Sequence, residues 1–100
     1  MTITKETSEK KITLKLDGWL DTLSSPELAA EIDRIDEASE IVLDFDKVEY
    51  IASSGLRQVV ATSKRAKELG AEFSVINVGT ETMSIFSLTG IDKKLNIKAK

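Results

Sequence analysis

A chain of 100 residues with no cysteine and no histidine excludes disulfides, thiolate chemistry, histidine metal ligands and the Ser-His-Asp or Cys-His pairs that activate a nucleophile near neutral pH. Its 41% hydrophobic content and single proline suit one compact domain over residues 1–100. A net charge of −3 lacks the broad positive field that drives non-specific nucleic-acid binding, so no DNA or RNA partner is expected.

The opening MTITKETSEK has no apolar stretch fit for a signal-peptide core, and no run of about 18 apolar residues follows it. A cytoplasmic protein with no membrane contact is expected. Thr2 to Thr7 reads as a strand pairing across SEK with KKITLKLDG, where Ile12, Leu14 and Leu16 alternate with Thr13, Lys15 and Asp17 until Gly18 stops the strand. LSSPELAAEIDRI carries helix signals: Ser24 as N-cap with Glu27 three residues on, Pro26 in the first turn, and Leu28, Ile32 and Ile35 along one stripe. IVLDF, residues 41–45, is a β-branched and aromatic run suited to a strand buried on both faces.

A second helix is predicted from Ser54 to Leu69. Leu56, Val59, Val60 and Ala66 face inward, Arg57, Lys64, Arg65 and Lys67 face solvent, and Gly70 ends it. AEFSVINV reads as a strand, TETMSIFSLTG as a short helix opening on a threonine cap and closing on Gly90, and LNI as a last strand. The order β-β-α-β-α-β-α-β predicts an α/β fold with helices packed against a mixed sheet. Its main core is expected from Leu56, Val59, Val60, Ile41, Leu43 and Phe45, with Trp19 less buried.

Charge is uneven along the chain. Residues 31–49 carry eight acids against two bases, whereas residues 57–67 carry four bases and no acid. Each run alone reads as a solvated face; together they are an asymmetry able to steer a protein partner.

The sharpest local feature is VEYIASSGLRQVV, where an apolar run breaks into Ser53-Ser54-Gly55 and resumes as a helix pattern. Loops at the carboxyl ends of central strands are where ligands and partners dock in such folds. Taken as a tripeptide, Ser-Ser-Gly is a cap and a turn. GxxxxGK[ST] and GxSxG are both absent, which removes the common phosphate-loop and serine-hydrolase readings. As a cap, Ser53 would accept a first-turn amide, Gly55 would leave those amides open to approach, and a phosphate on Ser53 would meet unpaired N–H donors.

IVLDF, the short connection to SSGL, Gly70 before the next strand, and NVGTETMSIFSLTGIDKKLNI together resemble the STAS domain of anti-sigma factor antagonists, the anti-anti-sigma proteins. LDGWLDTLSSPEL is similar to that family's Gly-x-Leu-Asp stretch before its first helix. The likeness covers nearly the whole chain, and its motifs are specific in combination rather than singly. It implies an α/β STAS-like fold and a non-enzymatic regulator of transcription that uses no cofactor and no metal. The partners implied are an anti-sigma factor serine kinase and an opposing phosphatase. The phosphorylated residue falls on Ser53, with Ser54 as alternative, and the partner-binding set on Asp21, Thr22, Ser53, Ser54, Gly55, Leu56 and Arg57. A monomer or weak dimer is expected. Ala52 departs from the family, standing where an aspartate is usual and removing a carboxylate that would orient the junction and contact the kinase. An alternative reading is therefore a constitutive, unphosphorylated STAS interaction module in a larger signalling assembly. A small anion-binding enzyme or carrier comes last.

Overall fold

The alternation of Ile12, Leu14 and Leu16 with polar neighbours builds one face of a strand, and the chain lays further strands beside it. The computed structural model describes residues 1–100. In order it contains β1 (Thr2–Ser8), β2 (Lys11–Leu20), α1 (Ser25–Asp33), β3 (Glu40–Ile51), α2 (Ser53–Glu68), β4 (Glu72–Val78), α3 (Thr80–Thr89), α4 (Ile91–Lys94) and β5 (Ile97–Ala99). The strands form one sheet in the order β1-β2-β3-β4-β5. β1 runs antiparallel to β2 and every other pair is parallel, so the mixed sheet is as expected.

Register explains the core. Leu14 pairs with Leu43 and Leu43 with Val75, so one sheet face is apolar across three strands. That face joins Leu28, Ile32 and Ile35 from α1 and its exit, Val59 and Ala66 from α2, and Phe86 from α3 in a single buried cluster. Phe45 and Phe86 meet with ring centroids 6.0 Å apart. The opposite face carries Thr13, Val42 and Ser74 in one row and Lys15, Asp44 and Ile76 in the next. Burial of IVLDF on both faces therefore holds at Val42 and weakens at half-buried Asp44, to which Asn77 Nδ2 donates at 3.0 Å.

Four expectations need correction. β2 does not stop at Gly18 but runs on to Leu20, and β3 extends beyond Phe45 to Ile51. Between the pairs Lys15↔Asp44 and Leu20↔Ile51, β2 advances five residues and β3 seven, through two register shifts, with Gly18 at φ 112°. These bulges hide the continuation from a period-two reading. They keep Leu20 and Ile51 buried while Trp19 and Tyr50 pair on the exposed side, ring centroids 5.3 Å apart. Second, α2 starts at Ser53 and presents Gly55, Val59, Thr62 and Ala66 inward, leaving Leu56 and Val60 half-buried. The stripe is set at its first position, where only glycine fits against Leu20 and Ile51, and follows helical spacing from there. Buried Thr62 satisfies its hydroxyl by donating to the Gln58 carbonyl at 2.8 Å. Arg65 is likewise half-buried, its Nη2 donating to the Ile35 carbonyl at 2.8 Å and tying α2 to the exit of α1. Third, the cap of α3 is Gly79, not a threonine. Fourth, a short α4 precedes a last strand at Ile97–Ala99 rather than at LNI.

Candidate functional site

β2 and β3 end side by side at Leu20 and Ile51, and the next residue is held there: Ala52 N donates to the Leu20 carbonyl at 2.9 Å. Ala52 is extended (φ −96°, ψ 172°), and its carbonyl accepts Leu56 N at 3.0 Å, so Ala52 is the N-cap of α2. Ser53 thus lies within one residue of the N-cap, as the strand-to-helix break leads one to expect, although the cap itself is Ala52. Ser53 is the first helical residue and makes no capping bond, because the backbone turns helical only after Ala52. It is exposed, Ser54 and Leu56 are half-buried, Gly55 is buried and Arg57 is exposed.

Gly55 explains how the helix start sits so near the strands. A Cβ built on it would lie 2.5 Å from the Leu20 carbonyl oxygen and 2.9 Å from both Leu20 Cγ and Ile51 Cγ1. Glycine is required here for space, not for a left-handed backbone.

The loop after β2 comes to the same place. Asp21 Oδ1 accepts from Leu23 N and Ser24 N, both at 3.0 Å, which makes Asp21 the side-chain cap of the turn leading into α1. The bond from the Ser24 amide, assisted by the Leu23 amide, outweighs desolvation and holds the Asp21 carboxyl below its ordinary value of 3.8. Ser24 occupies the N-cap position of α1 but makes no capping bond; its hydroxyl instead donates to the Trp19 carbonyl at 2.6 Å and accepts Asp21 N at 2.9 Å. Thr22 Oγ1 lies 3.2 Å from Ser54 Oγ, a hydrogen bond that joins the loop to the start of α2. Asp21 and Thr22 are thus brought to the same end of the sheet as residues 53–57, with the Asp21 carboxylate engaged in its own loop.

Two neighbouring features escaped sequence reasoning. Ser53, Leu56, Arg57, Val60, Ala61 and Lys64 of α2 line a groove of about 490 Å³ that Thr89 and Ile91 close from the α3–α4 junction. No carboxylate lines it, and neither Arg57 nor Lys64 joins an ion pair. The groove joins segments far apart in sequence, which leaves no local signal. The exposed Trp19–Tyr50 pair was legible in principle, as two aromatics flanking core-facing Leu20 and Ile51. No cluster of acids is placed to hold a metal ion, and no helix is long and apolar enough to cross a membrane.

Chemically, the arrangement offers an exposed hydroxyl at a helix N-terminus, a polar loop fastened beside it and two free cations along a partly apolar groove. That suits recognition of a protein surface and acceptance of a charged group.

A family model described as STAS domain matches residues 2–100. An anti-sigma-B factor antagonist from Bacillus subtilis is 26% identical over 94 residues, covering 93% of this chain and 86% of the relative. Among solved structures, an anti-sigma factor antagonist from Mycobacterium paratuberculosis superposes with a TM-score of 0.88 at 26% identity, over 99% of this chain and 86% of that one. The Bacillus cell fate determinant SpoIIAA in its phosphorylated form shares the fold at a TM-score of 0.78 and 16% identity, over 99% of this chain and 92% of that one. The STAS-like fold expected from the sequence is the fold observed.

Proposed function

This chain belongs to the STAS domain family, and we propose that it acts as an anti-sigma factor antagonist: a protein-binding switch that sequesters an anti-sigma serine kinase and so frees a sigma factor. Phosphorylation of Ser53 weakens the complex and an opposing phosphatase restores it. The binding surface is the loop at Asp21 and Thr22 together with Ser53, Ser54, Gly55, Leu56 and Arg57. The observation that carries this reading is the exposed Ser53 at the first position of α2, beside a loop fastened by the Thr22–Ser54 and Ala52–Leu20 hydrogen bonds. The names of the relatives support the direction of the proposal, and one solved neighbour is a phosphorylated form.

Ala52 favours a second reading, a constitutive interaction module that is never phosphorylated, because the N-cap of α2 offers no carboxylate to a kinase. Two measurements separate them. Mass spectrometry of the protein from its native host yields a phosphopeptide spanning residues 48–57 if the switch operates. Titration calorimetry against the cognate kinase domain then finds wild type and Ser53→Ala bound, and Ser53→Asp weakened at least about tenfold, or about 1.4 kcal/mol, since an added charge must be desolvated at the interface. Equal affinity for wild type and Ser53→Asp, both folded, establishes the constitutive module instead.

A further inference from the structure

We infer that Arg57 is the internal receptor for the phosphate carried by Ser53, so that phosphorylation closes an ionic clamp across the mouth of the α2 groove. The inference rests on the switch reading above and specifies its regulation. The phosphoryl group passes from a kinase-bound nucleoside triphosphate to Ser53 Oγ, the hydroxyl proton is lost and the nucleoside diphosphate leaves.

Ser53 and Arg57 stand four residues apart on one helix, are both exposed and line the same groove. On an α-helix that spacing brings Cβ atoms to about 5–6 Å, and an anion placed N-terminal to its cation is the favourable order. A guanidinium takes a phosphate through two parallel N–H donors, which lysine does not match. Arg57 is free for this role, because no ion pair holds it and the groove lining contains no acid. Asp21, across the junction, has Oδ1 taken up by the amides of its own loop. Ala52 adds no carboxylate to compete for the cation. Lys64, also on the groove wall, adds positive field without the bidentate fork.

The phosphorylated form therefore differs from the free form by more than added charge. Arg57 is withdrawn from the set of groups facing a partner, and its side chain is drawn toward the mouth of the groove lined by Leu56 and Val60. Release of the partner then combines lost attraction with new repulsion.

The test installs phosphoserine at position 53 by genetic encoding, so no kinase is needed. The second ionisation of the phosphate is followed by phosphorus NMR in otherwise wild-type protein and in Arg57→Gln, Arg57→Lys and Lys64→Gln backgrounds. Circular dichroism confirms that each variant is folded. The helix dipole acts equally in all four. The expected result is a phosphate pKa about half a unit lower with Arg57 than with Arg57→Gln, partial recovery in Arg57→Lys, and little change in Lys64→Gln. Titrations of wild type and Arg57→Gln agreeing within about 0.1 unit, or a shift that follows Lys64 instead, overturn the inference. Absence of phosphorylated Ser53 in the host overturns only the switch reading and leaves the titration intact.

Discussion

Replacing Gly55 by alanine tests the architecture beneath the site. In an exposed helix interior the change stabilises by about 1 kcal/mol, because alanine is the better helix former. Here the new methyl meets the Leu20 carbonyl oxygen at 2.5 Å, about 0.9 Å inside the 3.4 Å at which ordinary contact begins, and two core carbons at 2.9 Å. The carbonyl has little freedom to retreat, since it accepts Ala52 N at 2.9 Å. Rotating it away forfeits a hydrogen bond of about 1 kcal/mol. Moving α2 outward instead loosens Val59, Thr62 and Ala66, which lie on the same inner stripe. With about 1–3 kcal/mol for overpacking, the helix-propensity gain is outweighed and the net loss is about 1–3 kcal/mol. Urea melts read this directly, and thermal melts show a drop of about 4–8 °C per kcal/mol for a domain of this size. A variant as stable as wild type, or more so, refutes the close approach of α2 to β2 on which the placement of Ser53 depends.

Two further predictions concern the core and the loop. Phe45→Ala removes a fully buried ring packed on Phe86 and loses about 3–5 kcal/mol, whereas half-buried Leu56→Ala loses only about 1–2 kcal/mol; urea melts giving the reverse order contradict the burial described for α2. Asp21 titrates below 3.8 because the Ser24 amide binds its ionised form. Its stabilisation is complete above that ordinary value and fades as pH falls through the lower native value. Acid melts of wild type and Asp21→Asn therefore differ by a constant amount above pH 3.8 and draw together as pH falls from there through the lower native value, and an NMR titration finding Asp21 at its ordinary value rejects the capping role.

Much of this molecule was legible where one physical signal dominated. Ile12, Leu14 and Leu16 announce a strand by alternation, and Leu28 and Ile32 announce a helix face by spacing; all five are buried, and so is Ile35, which the same spacing puts on the helix but which lies just past its C-cap Arg34. The reading failed where hydrophobicity and geometry part company. Leu56 and Val60 are more apolar than Gly55 and Thr62, yet Gly55 faces the sheet because no side chain fits beside Leu20 and Ile51, and helical spacing from it then carries Val59, Thr62 and Ala66 inward. The far half of β3 was obscured by two bulges that shift its register against β2. At the site, the SSGL junction is visible as a strand-to-helix break that brings Ser53 within one residue of the cap, but hydroxyl preference does not reveal that alanine holds the cap itself, by backbone conformation alone. The groove beside it depends on Thr89 and Ile91, which only tertiary folding brings to α2.

The junction divides its labour between layers. Below, Leu20, Ile51 and Gly55 are buried, and their contacts leave no room even for a methyl group. Above, Ser53 and Arg57 are exposed and free of ion pairs, and Ser54 is joined to Thr22 by a single exposed hydroxyl contact. A charge placed on Ser53 therefore need not disturb packing to be felt, since the groups able to respond to it all lie on the solvent side of Gly55. Such a construction favours a change in surface chemistry over a change in fold. It also explains how Ala52 stands at the cap without altering the junction: the hydrogen bonds that hold this residue to Leu20 and Leu56 run through its backbone, whatever side chain it carries.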